Sequence, residues 1–165
     1  MPRIFPMLWF NDQADEAAKF YTSIFPNSKI GIVTRYGPDS PGPEGSLMTI
    51  DFELNGNPFV ALNGGPDFTF SEAISFVIPC ADQAEIDRYW DRLVDGGEPA
   101  PCGWLKDRFG VSWQVIPAEV IEWQSDADPE RARRVSQVVL GTFGKLDLEK
   151  LRAAYEGEPV SAASR

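Results

Sequence analysis

The sequence contains no histidine, and only two of its 165 residues are cysteine. Histidine is the side chain that most often transfers protons near neutral pH and binds transition metals, so its absence removes the commonest ligand of such sites. The two cysteines, Cys80 and Cys102, allow one disulfide at most, and in a chain of this size we expect two reduced thiols. The fold must therefore be stabilised by an ordinary hydrophobic core.

Basic residues and long apolar runs are also scarce. The 15 Lys and Arg residues stand against 25 Asp and Glu residues, which gives a formal net charge of −10. Such an acidic chain repels nucleic-acid phosphates and anionic lipid, and no basic stripe interrupts it. The opening MPRIFPMLWF is too short for a secretory signal and has no small-residue cleavage site. We expect a cytoplasmic protein that binds neither nucleic acid nor a membrane.

The sequence does contain an internal repeat. The segment NDQADEAAKFY begins at Asn11, and the related segment CADQAEIDRYW begins at Cys80. Aligning Asp12 with Asp82 gives a constant offset of 70 residues, with an apolar segment before each position and a helical pattern after it. We interpret this as a structural repeat in which Asp12 and Asp82 mark equivalent helix starts.

The first repeat unit is predicted to contain a strand, a helix and three further strands. The helix is capped at Asn11 or Asp12 and ends at Pro26. Asn55-Gly56 is typical of a two-residue hairpin turn, and GPDSPGPEG is a loop because its prolines and glycines cannot continue a central strand. The four predicted strands cover residues 3–10, 29–36, 47–54 and 59–62.

The second unit repeats this order. Its helix is capped at Asp82, with Glu85 in the reciprocal position of a capping box, and it ends at Gly96-Gly97. Strands are predicted over residues 73–78, 101–106 and 111–116. Three helical pieces follow, beginning at Pro117, after the cap at Asp128 and near Asp147.

The pattern predicts an α+β fold of two tandem βαβββ modules. We expect module 1 to cover residues 3–65, module 2 to cover residues 72–117 and a C-terminal helical extension to cover residues 118–157. One module alone has too few strands to bury its helix well, so we expect one domain with a curled mixed sheet and the helices outside. The inner face of that sheet would form a cup.

The two-module pattern resembles the vicinal oxygen chelate superfamily, which includes glyoxalase I, extradiol dioxygenases and bleomycin-resistance proteins. Within that superfamily the chain is similar to the PhnB-like family, many of whose members carry the label 3-demethylubiquinone-9 3-methyltransferase. The likeness covers roughly residues 3–155 and is carried by five segments in order: LWFNDQADEAAKFYTSIFPNSKI, GSLMTIDFELNG, LNGGP, EAISF and CGWLKDRFGVSWQVIP.

The resemblance implies a divalent metal held by His, Glu or Gln side chains from four strands, but this sequence departs from that pattern. Pro6 falls where the first ligand is implied, and the symmetric strand offers only Ser75. Thr49 and Gln114 stand at the third and fourth positions. One amide and one hydroxyl do not make a zinc, nickel or iron site, so we expect no catalytic metal and no cofactor. A weak magnesium or calcium site at Asp51 and Glu53 remains an alternative.

The candidate ligand pocket is formed by alternating polar residues and by aromatic residues. Thr49, Asp51 and Glu53 share one face of a predicted strand, and Ser112 and Gln114 share one face of another, although a solvated sheet face would show the same alternation. Trp9 and Trp104 are candidates for stacking on a planar ligand, with core packing as the alternative. No residue is assigned a catalytic role.

We expect this protein to bind a small organic ligand in a metal-free cup. A metal-independent enzyme, or a resistance-type protein that sequesters a drug or metabolite, is the alternative. The methyltransferase label finds no support in the residues, because no glycine-rich loop opens the first helix. The apolar stripe Ala132, Val135, Val138 and Val139 in the C-terminal extension, together with the superfamily's habit of pairing modules, predicts a homodimer.

Overall fold

The first half of the chain folds as a strand, a helix and three further strands. Its elements are β1 (Met7–Phe10), α1 (Ala14–Ile24), β2 (Lys29–Arg35), β3 (Leu47–Leu54) and β4 (Asn57–Asn63). They form one sheet in the order β1-β4-β3-β2, in which β1 is parallel to β4 and the other neighbours are antiparallel. The computed structural model describes residues 3–159 and divides the chain into this unit, up to Phe70, and a second unit from Ser71.

The second unit repeats the same topology and then adds helices. Its elements are β5 (Phe76–Cys80), α2 (Gln83–Val94), β6 (Glu98–Pro99), β7 (Trp104–Lys106), β8 (Ser112–Pro117), α3 (Ala118–Trp123), α4 (Pro129–Gly141) and α5 (Leu148–Glu156). The sheet order is β5-β8-β7-β6, with β5 parallel to β8. The prediction of an α+β fold with two βαβββ modules is confirmed. The prediction that both modules form one domain with a curled sheet stays a prediction.

In the first unit, α1 covers one face of the sheet. The alternation of β3 is as the sequence predicts, since Ile50, Phe52 and Leu54 are buried while the residues between them stay partly exposed. The ring of Tyr21 on α1 stacks on Phe52 with 6.2 Å between the centroids. Because α1 buries only one face, the other face of this sheet carries the polar side chains of β3.

The apolar stripe of α4 is used inside the second unit. Val135 and Val139 join three other buried residues in one hydrophobic cluster, against which Cys102 and Ile116 pack. The other members of the cluster are Val120, Leu146 and Leu151. Part of the stripe that predicted a homodimer therefore packs the C-terminal helices together. These buried residues are not available for a subunit contact and do not support the prediction of a dimer.

The predicted ends of several elements are wrong. β1 begins at Met7 instead of residue 3, and β5 begins at Phe76 instead of residue 73. The segment predicted as a strand over residues 101–106 turns first, because Cys102 and Gly103 both adopt positive φ angles of 64° and 78°. The short strand β6 precedes this turn and was not predicted. The hairpin at Asn55-Gly56 is confirmed, with φ angles of 48° and 78°.

The two repeat units match in their strands and helix ends and differ in how the helix begins. The strands β1 and β5 end at Phe10 and Cys80, and α1 and α2 end at Ile24 and Val94, so the offset of 70 residues holds at both places. The cap of α2 is Asp82, whose carboxylate accepts a hydrogen bond from the Glu85 amide.

The first helix is capped by a different residue. The structure makes Gln13 its N-cap, without a side-chain hydrogen bond, and the Ala14 amide donates to Asn63 Oδ1 of β4 at 2.8 Å. The predicted cap at Asn11 or Asp12 is therefore wrong, because a side chain from the neighbouring strand satisfies the first turn of the helix.

The expectation of two reduced thiols is consistent with the structure. Cys80 and Cys102 are both free thiols, the first buried and the second partly buried. Among residues 3–159, no helix is long and apolar enough to cross a membrane.

Candidate functional site

The open face of the first sheet holds four of the predicted site residues. Thr49, Asp51 and Glu53 lie on this face of β3 and are partly exposed. Trp9 of β1 is in the same cross-strand row as Thr49, because each pairs with Leu62 of β4. Directly paired residues in a ladder project to the same side of the sheet, so the structure brings these four residues together on one face.

A groove of about 280 Å³ runs across part of this face. Its polar lining comes from Lys29, Asp51 and Glu53, and its apolar lining includes Phe5, Ile32, Pro58 and Val60. The volume is close to the lower end of the range found for small-molecule sites. A few charged groups in a largely apolar groove are the arrangement that orients a small organic ligand.

The two carboxylates in this groove differ in their partners. Glu53 is paired with Lys29 across the β2–β3 ladder, with 3.2 Å between Nζ and Oε2. Asp51 lies next to Gly31 and Ile32, where β2 bulges, and no ion pair or hydrogen bond joins its carboxylate to another residue of the described part of the chain. Asp51 is therefore the charged group of this groove that is most available to a ligand.

Thr49 and Trp9 are held by local interactions. The hydroxyls of Thr49 and Thr34 are 2.6 Å apart and share a hydrogen bond. The indole Nε1 of Trp9 donates to the Gly65 carbonyl at 2.9 Å, and the Phe68 ring meets the indole edge to face at 5.0 Å. Gly64 leaves room for the indole, since a Cβ there would lie 2.3 Å from a ring atom. The indole ring of Trp9 is thus held in one orientation on this face.

The remaining predicted site residues lie on the second sheet. Trp104 of β7 pairs with Gln114 of β8, and Ser112 lies on the same face as Gln114. The Gln114 amide donates to Ser75 Oγ at 2.8 Å, which leaves its Oε1 as an acceptor for other groups. The sequence predicts that Ser112 is an accessible polar residue of the pocket, but its side chain is only 2% exposed.

The sequence predicts that Lys106-Asp107-Arg108 forms a charged, solvated hairpin tip, but Lys106 is the last residue of β7 and pairs with Ser112 across the β7–β8 ladder. The sequence could have indicated that Lys106 belongs to the pocket face, because it follows Trp104 by two residues and side chains two apart in a strand share a face. The Lys106 ammonium forms an ion pair with Glu72 at 2.5 Å. That hydrogen bond is the main reason why the pKa of Lys106 is raised and the pKa of Glu72 is lowered.

Asp107 has a structural role that the sequence did not reveal. The sequence predicts that Asp107 lies at the solvated tip of the hairpin, together with Lys106 and Arg108, yet Asp107 is only 3% exposed. Its carboxylate accepts hydrogen bonds from the amides of Phe109 and Val111 and from Nε1 of Trp113, at 2.8 to 3.0 Å. The residue therefore organises the turn between β7 and β8 and is not part of a ligand site.

The residues present do not fit the metal that the superfamily implies. Within residues 3–159, no group of three or more Cys, Asp or Glu side chains is placed to hold a metal ion. The β1 strand offers no oxygen or nitrogen side chain except the indole of Trp9, and β5 offers only the thiol of Cys80. Burial raises the pKa of that thiol to about 12, which opposes the thiolate form that binds metals.

Comparison with solved structures places this fold among known proteins. The PhnB protein from Bacillus cereus is 36% identical, matches 71% of this chain and 100% of its own length, and gives a TM-score of 0.64. The protein PA1353 from Pseudomonas aeruginosa is 24% identical over 71% of this chain and 98% of its own, with a TM-score of 0.57. The fosfomycin resistance protein FosX from Listeria monocytogenes is 17% identical over 73% of this chain and 94% of its own, with a TM-score of 0.51, and shares the fold.

Sequence comparison agrees with this placement. No curated protein matches the chain. The family model described as 3-demethylubiquinone-9 3-methyltransferase matches residues 2–116, which span both βαβββ modules and stop before the C-terminal helices. The chain therefore belongs to this PhnB-like family, whose model is described as 3-demethylubiquinone-9 3-methyltransferase.

Proposed function

We propose that this protein binds a small organic ligand that carries a positive charge and an apolar part, in the groove on the open face of the first sheet. The observation that carries the proposal is the Asp51 carboxylate, which has no partner among the described residues and lies in a groove with a largely apolar lining. A ligand ammonium group would pair with Asp51, and its apolar part would cover Phe5, Ile32 and Val60.

The acidic balance of the chain supports this choice of ligand. A net charge of −10 favours the approach of cations and disfavours anions over the whole surface. In the groove itself, Lys29 is already paired with Glu53, so Asp51 supplies a local negative charge. Binding does not require a transition metal in this proposal, because the ligand positions that the resemblance implies carry Pro6, Ser75, Thr49 and Gln114 here. A cytoplasmic location remains part of the same proposal.

The test is a thermal-shift and calorimetric titration with benzylammonium and its neutral analogue benzyl alcohol. Wild-type protein should be stabilised by benzylammonium, because a ligand that binds only the folded state raises the unfolding temperature. Asp51→Asn should weaken binding about tenfold or more, since it removes a charge-assisted hydrogen bond. Asp39→Asn, which removes an exposed carboxylate of the loop after β2, is the matched control and should bind as wild type does.

Metal dependence is tested in the same assay. We expect protein purified without chelator to contain no stoichiometric zinc, nickel, iron or manganese, and binding to persist in a chelator. Equal binding of benzyl alcohol and benzylammonium, or an Asp51→Asn protein with unchanged affinity, would refute the assignment of the site. Loss of binding in the chelator would refute the metal-independent mode.

Catalysis on such a ligand is a second candidate, favoured by the same unpartnered carboxylate. Asp51 would act as a general base in a metal-independent reaction, since it is the group in the groove that can accept a proton from a bound substrate. Turnover of each ligand found by screening would be measured, and Asp51→Ala should abolish it. Methyl transfer, which the family's description names, has no such observation in its favour, because the turn between β1 and α1 contains Asn11, Asp12 and Gln13 and no glycine.

A further inference from the structure

The open face of the second sheet contains a cavity of its own, which the proposed groove does not include. Its volume is about 100 Å³, and its lining includes Glu72, Glu98, Trp104, Lys106 and Ser112. A water molecule occupies about 30 Å³ of liquid volume, so the cavity has room for a group of about three heavy atoms. A carboxylate has that size.

Ser112 gives this cavity a polar atom that lacks a partner. The side chain is 98% buried, and no described residue forms a hydrogen bond with its Oγ. Buried polar atoms in native proteins nearly always have a hydrogen-bond partner, because an unsatisfied one costs about 1–3 kcal/mol. The Ser112 hydroxyl is therefore available to donate a hydrogen bond to a group that enters the cavity.

Lys106 supplies the positive charge beside that hydroxyl. It lies directly opposite Ser112 in the β7–β8 ladder, and Glu98 lies opposite Lys106 on the other side. The ammonium group is paired with the carboxylate of Glu72, whose side chain is 62% exposed. Exposed ion pairs contribute little to stability, so another carboxylate can replace Glu72 at low cost.

We propose that this cavity is a carboxylate subsite of the second unit, in which Lys106 and Ser112 bind the carboxylate of a small aromatic acid. In the free protein the Glu72 carboxylate forms an ion pair with the Lys106 ammonium, and the carboxylate of the ligand displaces it. Trp104, two residues before Lys106 on the same face of β7, supplies a partly exposed ring for the aromatic part of the ligand. The proposal does not depend on the groove of the first unit, so either site can fail without the other.

The experiment is an NMR titration of the full chain with benzoate, with the neutral analogue benzamide and with chloride as a competitor. Benzoate should shift the indole signal of Trp104 and the amides around Ser112, and benzamide should not. Lys106→Met should weaken benzoate binding about tenfold or more, because it removes a charge-assisted hydrogen bond, and Lys106→Arg should retain most of the affinity.

Two further variants separate binding from folding. Glu72→Gln should bind benzoate about two to five times more tightly, because it removes the competing carboxylate. Glu149→Gln, which removes an exposed carboxylate of α5 outside the cavity, is the matched control and should leave the affinity unchanged. Ser112→Ala should weaken binding about threefold to tenfold without lowering the unfolding temperature, since it also removes an unsatisfied hydroxyl. Three results would each overturn the proposal: benzamide binds as tightly as benzoate, chloride competes completely with benzoate, or Glu72→Gln leaves the affinity for benzoate unchanged.

Discussion

Glu53 and Lys106 occupy equivalent positions in the two units and carry opposite charges. Glu53 lies opposite Pro58 of β4 and Lys29 of β2, and Lys106 lies opposite Ser112 of β8 and Glu98 of β6. The repeat has therefore preserved the topology of the sheet while it inverted the charges across the outer row of the open face. Each row contains one carboxylate and one lysine, so the choice of ligand depends on other groups: the unpartnered carboxylate of Asp51 in the first unit, and Lys106 with the unsatisfied hydroxyl of Ser112 in the second.

The different helix caps of the two units lead to the first prediction. Asp82→Ala should reduce the free energy of unfolding by about 1 kcal/mol, because the Glu85 amide loses its acceptor. Asn63→Ala should have an effect of similar size, since Asn63 satisfies the first turn of α1. Asp12→Ala is the matched control, and urea unfolding should show almost no change. A loss at Asp12 as large as that at Asp82 would contradict the assignment of the caps.

The topology and one polar face were predictable from the sequence because they depend on local patterns. The alternation in β3 fixes which side chains face α1, and Asn55-Gly56 adopts the positive φ angles that a tight hairpin needs. The cap supplied by Asn63 was not predictable, since it joins residues 49 positions apart. Ser112 was placed on the correct face but with the wrong burial, because the alternation within one strand does not encode how closely other elements pack against that face.

The second prediction concerns Asp107. Asp107→Ala should destabilise the protein by about 2–4 kcal/mol, because three donors lose a charged acceptor and the Trp113 indole is left buried without it. Trp113→Phe removes one of these donors by itself. A double-mutant cycle between Asp107→Asn and Trp113→Phe, measured by chemical unfolding, should give a coupling free energy above about 0.5 kcal/mol. Additive effects would show that the indole–carboxylate contact does not stabilise the turn.

The third prediction concerns the alkaline limit of stability. Burial raises the pKa of the Cys80 thiol from 9.0 to about 12, so the folded state keeps a proton that the unfolded state releases. The contribution to stability is fully present below pH 9.0 and is lost progressively as the pH rises toward about 12. Cys80→Ala should show a shallower loss of stability over this window than the wild type. The partly buried Cys102 should react with a thiol reagent at pH 8 much faster than Cys80 does, and equal rates would contradict this account.

The last prediction is that the protein forms a homodimer, and we propose the outer edge of β2 as the contact. β2 is the edge strand of the first sheet, and Ile30, Ile32 and Val33 on it are exposed, with Ile32 at 69%. Because β2 bulges between Ile30 and Val33, its backbone is a poor template for strand pairing, and we expect the exposed apolar side chains to make the contact. Sedimentation equilibrium over a hundredfold range of concentration should show a dimer for the wild type. Val33→Lys should shift it toward monomer, whereas Leu140→Lys, which adds the same charge at an exposed position of α4, should not. A wild-type monomer at every concentration would exclude the dimer, and a dimer that survives Val33→Lys would place its interface elsewhere.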